Sequence, residues 1–185
     1  MHLLNKEDFD KIFNNGSLYM KNSFYFIDKE TKTYQTNIKY DSYLDYAKEI
    51  KRRYIEGHTI IVKNLENFNL PLITQSALFG KNVDVHMYLV PPKGFDSFDM
   101  HEDDRDVYVT MVFGYKQFHI LRNGYLDKRT LYEGNYIHIP KGVKHQAFPS
   151  GKGSCLLSFG VEDSSDFDIV GGLTSEDVCT NLKDF

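Results

Sequence analysis

The rhythm of apolar and polar positions changes part-way along the chain. In the first third, apolar residues recur at helical spacing in two places. Over residues 5–13 (NKEDFDKIF), Phe9, Ile12 and Phe13 fall on one side, and Gly16 supplies a stop. Over residues 41–55, Tyr43, Leu44, Ala47, Ile50 and Tyr54 share a face, Asp41 or Ser42 can cap the start, and Gly57 ends the helix. Between these helices, SFYFI (23–27) and YQTNI (34–38) read as strands around a KETK turn.

From residue 58 onward the pattern is that of short strands. HTIIVK (58–63), VDVHMYLV (83–90), DVYVTMVF (106–113), QFHIL (117–121), NYIHI (135–139), HQAF (145–148) and SCLLSFGV (154–161) are separated by turn signals such as PPKG, RNG, PKG and PSGKG. LPLITQSALFG (70–80) predicts a short helix closed by Gly80, and TSEDVCTNL (174–182) a terminal helix opened by Thr174 and Asp177. Many short strands punctuated by Gly and Pro predict a mainly β sandwich or barrel. The expected organisation is one domain over 1–185: helix and strand elements over 1–57, a barrel core over 58–162, and a tail over 163–185.

Composition narrows the function. The 185 residues suffice for one domain with a real core. Aromatics are 15% of the chain, with 14 Phe and 13 Tyr, which suits pleated surfaces. A net charge of −4 gives no nucleic-acid surface or polybasic anchor. No apolar run approaches the ~20 residues of a membrane-spanning helix, and the N-terminus is charged too early for a secretory signal. Two distant cysteines, Cys155 and Cys179, make neither a disulfide framework nor a zinc knuckle. The expectation is a reduced, cytoplasmic protein that binds neither nucleic acid nor membrane; a homodimer stays open.

Two segments carry chemistry. MHEDDRDVYVTMVF (100–113) contains His101 and Asp103 two residues apart, just before a strand. In extended chain such residues point to the same side, so imidazole and carboxylate can reach one ion. GNYIHIPKGVKHQAF (134–148) runs a strand into Pro140-x-Gly142-x-x-His145. There Gly142 can supply positive φ, and His145 begins the next strand at a barrel mouth. Two histidines and one carboxylate form the facial triad of non-haem iron(II) sites, which leaves coordination positions open for a co-substrate and O₂.

These residues resemble a known family. The second segment is similar to the second cupin motif at its Gly, Pro, Gly and His positions. The longer run His101-x-Asp103, Asp106-Val107-Tyr108, Gly114-x-Lys116 and Phe118 (where the family usually has Trp) resembles the JmjC-type cupins that include the ribosomal oxygenases, over roughly residues 55–162. The resemblance implies a double-stranded β-helix, or jelly roll, with the N-terminal helices packed outside. It implies an enzyme that uses Fe(II), 2-oxoglutarate and O₂, with His101, Asp103 and His145 as both metal ligands and catalytic centre. Lys116 would salt-bridge the distal carboxylate of 2-oxoglutarate, Tyr88 would contact co-substrate or substrate, and Asp106 would orient a ligand. The expected reaction is hydroxylation of a peptide or protein side chain, or of a small amino-acid-like metabolite. Two other readings stand beside it: a metal cupin acting without 2-oxoglutarate, as an isomerase or dioxygenase, and a non-catalytic binding module.

The remaining histidines are expected to be structural. His138 is read as a wall or core residue and His86 as a packed residue on the Tyr88 face; His2, His58 and His119 are read as framework. Cys155 is expected to be buried, and EDSSDFD (162–168) to be a solvated loop.

Overall fold

The computed structural model of the chain describes residues 3–16, 18, 23–28, 30–32, 34–35, 42–79, 82–95 and 98–162. The expected terminal helix at 174–182, Cys179, nearly all of the 162–168 loop, the cap at Asp41, Gly80 and the end of the 34–38 strand lie outside them.

Helix α1 (Lys6–Phe13) starts at a capping box. The Asn5 side chain accepts from the Asp8 amide, and the Asp8 carboxylate accepts from the Asn5 amide. The helix ends at the Asn14 cap, before the expected stop at Gly16. Helix α2 (Tyr43–Ile55) is capped by Ser42. Its buried stripe is Tyr46 and Ile50, whereas Tyr43 and Leu44, placed on the inner face by the sequence pattern, are exposed. The Tyr46 hydroxyl explains the rotation: it donates to the Phe24 carbonyl and draws that side of the helix onto the sheet. Helix α3 (Leu70–Phe79) follows, burying Leu72.

The strands are β1 (Phe24–Ile27), β2 (Tyr34–Gln35), β3 (Ile60–Val62), β4 (Val83–Pro92), β5 (Asp106–Phe113), β6 (Tyr115–Arg122), β7 (Tyr125–Tyr132), β8 (Tyr136–Ile139), β9 (His145–Pro149) and β10 (Lys152–Val161). They form a seven-stranded sheet in the order β2-β1-β3-β4-β10-β5-β8 and a three-stranded sheet in the order β7-β6-β9. The pairings are antiparallel. The crossovers (β10 between β4 and β5, β9 beside β6) are those of a jelly roll rather than a meander.

Period-two alternation divides the apolar residues between two cores. On the outer face of the large sheet, Val85, Met87, Cys155, Leu157 and Phe159 pack with Ile12, Ile50 and Leu72 of the three helices. Each of those three helical residues is at most 1% exposed, and burying such a side chain contributes about 1.5–3 kcal/mol. Between the sheets, Val107, Val109, Met111, Phe118, Ile120, Ile137, Ile139 and Leu156 fill the barrel, joined by Tyr88 and Ala147. Strand β7 does not appear in the sequence pattern because it has almost no inward face; among its residues only Leu131 is buried.

Candidate metal centre

The inner face of the barrel is apolar at one end and opens at the other onto a cavity of about 440 Å³. The same alternation that builds the core aims side chains into it. Tyr88 on β4, Val107 and Val109 on β5, Lys116 and Phe118 on β6, and Leu156 and Ser158 on β10 all line it. At the mouth stand His101, Asp103 and His145, whose ligand-capable atoms lie within 4.8 Å of one another.

Backbone pairing fixes the two histidines. His101 and His145 form an antiparallel bridge outside the regular strands. The His101 amide donates to the His145 carbonyl at 3.0 Å, and the His145 amide donates back at 2.7 Å. Asp103 is tied to the turn before His145, since its carbonyl accepts from the Gly142 amide at 3.0 Å. Gly142 has φ +73°, the left-handed conformation that the Pro-x-Gly motif predicts.

Each imidazole is oriented by a carbonyl. His101 Nδ1 lies 2.8 Å from the Asp99 carbonyl and His145 Nδ1 lies 3.0 Å from the Val143 carbonyl. A carbonyl only accepts, so each Nδ1 carries a proton, and in the neutral ring this leaves Nε2 with the lone pair. His145 Nε2 stands 3.5 Å from Asp103 Oδ2. Burial holds the His145 imidazole below the usual histidine range, while the Val143 carbonyl opposes the shift. A neutral ring is the form that binds metal. Two nitrogens and a carboxylate presented on one side of a cavity can hold one divalent ion, and among the described residues this is the group of His, Cys, Asp and Glu that does so.

Lys116 is 2% exposed, rare for a lysine, and adds a cation to the cavity lining. Tyr88 lines the same cavity. Asp106 accepts from the Lys141 amide at 2.8 Å and so holds the turn that delivers His145; its other carboxylate oxygen lies 3.6 Å from His138 Nε2. His138 faces the other way from the cavity-lining Ile139. It stacks on Tyr108 at 4.4 Å between ring centroids, against the outer core, so it is neither cavity wall nor ligand. His86 shares the Tyr88 face, and its Nε2 lies 3.4 Å from Asp84 Oδ2. Cys155 is fully buried, which pushes its thiol up.

Three contributors were not visible in the sequence. Lys32, on the turn after β1, reaches Asp99 at 2.6 Å and lines the cavity mouth. Gln146 donates to the Phe98 carbonyl at 3.2 Å, and Phe98 meets the His101 ring edge-on at 5.4 Å. These contacts hold the loop whose carbonyl orients His101. No local signal pairs residues so far apart in the chain.

No protein-family model matches the chain, and no curated protein matches it in sequence. Solved structures do. That of E. coli ycfD superposes with a TM-score of 0.57 at 11% identity, over 99% of this chain and 59% of that one. A mutant of the Bacillus subtilis oxalate decarboxylase OxdC matches with a TM-score of 0.40 at 17% identity, over 57% of this chain and 25% of that one. The Drosophila melanogaster CENP-C cupin domain matches with a TM-score of 0.37 at 18% identity, over 40% and 57%. The chain thus spans less than two thirds of each of these proteins. At such identities the likeness concerns fold, and the fold is a mainly β jelly-roll barrel with helices packed outside. Among the described residues, no helix is long and apolar enough to cross a membrane.

Proposed function

We propose that the protein is an iron(II)- and 2-oxoglutarate-dependent oxygenase acting on a peptide or protein side chain or on a small amino-acid-like metabolite. The observation that carries this reading is the sharing of one cavity by a two-histidine, one-carboxylate cluster and a buried lysine.

The donor set fits the metal. Two imidazoles with free Nε2 atoms and one carboxylate occupy one side of an ion and leave its other positions open. Iron(II) with 2-oxoglutarate, when bound, supplies O₂ activation coupled to oxidative decarboxylation of the co-substrate. The chain's own residues do the rest. His101, Asp103 and His145 hold the ion, and the Asp99 and Val143 carbonyls keep both rings in the ligating tautomer. Lys116 supplies a cation for the far carboxylate of a dicarboxylic co-substrate, as a point charge suited to one carboxylate end. Val107, Val109, Phe118, Ile139 and Leu156 form the apolar lining that keeps water from the reacting centre. Tyr88 offers a hydroxyl for co-substrate or substrate. A substrate approaches past Lys32, Phe98 and Met100 at the mouth.

The test is succinate formation from 2-oxoglutarate by iron-loaded protein under air, stimulated by peptide or amino-acid substrates. Iron bound at near one equivalent with no response to 2-oxoglutarate would instead favour a cupin enzyme that works without it. Absence of iron binding would favour a binding module.

A further inference from the structure

The segment from His101 to Asp106 is fastened on one side to the turn and strand that carry His145. His101 bridges to His145, the Asp103 carbonyl takes the Gly142 amide, and the Asp106 carboxylate takes the Lys141 amide. All three contacts lead to the same turn-and-strand wall. On the opposite wall Asp106 is registered against Val161 of β10, and just ahead of that pairing a side chain adds a second fastening. Arg105, two residues beyond Asp103, donates through Nη1 to Asp84 Oδ2 at 3.3 Å on β4. Its Nη2 stands 3.3 Å from Glu162 Oε1, one residue past β10, and its Nε reaches the neighbouring Asp104 at 3.1 Å. The three nitrogens of a planar guanidinium are thus spent on three carboxylates, a rigid three-way geometry that a lysine cannot reproduce.

The floor under this fork is Gly160 on β10. Its φ is ordinary, so a side chain is not barred by backbone conformation. Space is the constraint: a Cβ there would meet Asp84 Oδ1 at 2.2 Å and Arg105 Cδ at 2.8 Å, so both side chains would have to move to admit it. The sheet leaves a gap at Gly160, and the Arg105–Asp84 pair fills it.

We infer that Arg105, seated over Gly160 and forked to Asp84 and Glu162, is the positioning residue that holds Asp103 at the metal-binding geometry. This rests on the metal reading of the His101–Asp103–His145 cluster. Arg105 touches neither metal nor substrate in this role; it fixes the strand entrance from which Asp103 projects. Groups that orient a ligand typically affect metal affinity about 10–100-fold.

Electrostatics makes the inference separable from a simple charge effect. Arg105 is a cation near a site for a cation. If it acted only through its charge, removing it would tighten metal binding, because a repulsion would be gone. If it positions Asp103, removing it weakens binding. A second variant, Gly160→Ala, changes no charge at all, yet pushes on the same pair from below.

The experiment is titration of apo wild type, Arg105→Gln, Arg105→Lys and Gly160→Ala with iron(II) under anaerobic conditions, following binding by calorimetry, with thermal melting of each apo protein alongside. The expected result is a dissociation constant raised about 10–100-fold in Arg105→Gln and in Gly160→Ala, with Arg105→Lys weakened as well despite its retained charge. The combined Arg105→Gln/Gly160→Ala variant should weaken binding by less than the product of the two, since both disturb one contact. Tighter or unchanged binding in Arg105→Gln overturns the inference, as does wild-type binding in Gly160→Ala. If Arg105→Gln fails to fold, the charge-neutral Gly160→Ala decides by the same criterion. Wild-type protein that binds no iron would overturn the metal reading itself, an outcome distinct from wild-type binding with indifferent variants.

Discussion

His101 and His145 sit directly opposite each other in an antiparallel bridge, each amide donating to the other's carbonyl, with imidazole centroids 4.4 Å apart. Two residues far apart in sequence are therefore set by the backbone itself, before any metal arrives. The loop carrying Asp103 is pinned to the same turn through Gly142. Preorganisation of this kind lowers the ordering cost of binding an ion.

Replacing any member of the cluster should remove the site. Asp103→Ala and His145→Ala are each expected to lose stoichiometric iron binding and all succinate formation. Iron titration and a 2-oxoglutarate turnover assay check this, and wild-type-like succinate production in Asp103→Ala would sink the assignment.

Lys116→Met keeps the volume of the side chain and removes its charge. Loss of a charged hydrogen bond to a carboxylate costs about 1.5–3 kcal/mol. The apparent requirement for 2-oxoglutarate should therefore rise roughly 10–100-fold, with iron affinity within about twofold of wild type. Unchanged co-substrate dependence would rule the role out.

His138→Ala tests the choice of distal histidine. The His138–Tyr108 stack lies on the outer side of the barrel, so the variant should lose about 0.5–1.5 kcal/mol of stability and keep its iron. Iron lost from His138→Ala but retained by His145→Ala would reverse the two.

Acid should destabilise the protein in a defined window. Burial holds the His86 imidazole down to about 4 against a usual 6.5, with Asp84 opposing the shift. Below about 6.5 the unfolded chain takes up a proton that the folded chain refuses, so stability present above that pH is lost as the pH falls toward 4. For His86 the loss is on the order of 3 kcal/mol. His138 and His145 are displaced in the same direction, again chiefly by burial. Urea unfolding midpoints between pH 7 and pH 4 should fall less steeply in His86→Gln than in wild type. Parallel slopes would show that His86 is not buried in its neutral form.

What the sequence made legible follows from what was local. His101 and Asp103 are two apart in extended chain, and the Pro140–Gly142 turn needs positive φ, so both motifs could be read from spacing alone. Strands with one buried face, such as β5, also announced themselves. Strand β7 did not, because it lies at a sheet edge with Leu131 as its one buried residue. The rotation of α2 onto Tyr46 depends on a hydroxyl reaching the Phe24 carbonyl, a tertiary contact that overrides the apolar pattern. The Lys32–Asp99 pair and the Arg105 fork join segments brought together only by the crossovers of the barrel.

The measurement that bears most directly on the central claim is anaerobic titration of iron(II)-loaded protein with 2-oxoglutarate, following the weak visible metal-to-ligand charge-transfer band. The account predicts a band that saturates near one equivalent, is absent in His101→Ala and needs far more 2-oxoglutarate in Lys116→Met. Bound iron that gives no band at any concentration of 2-oxoglutarate would contradict it.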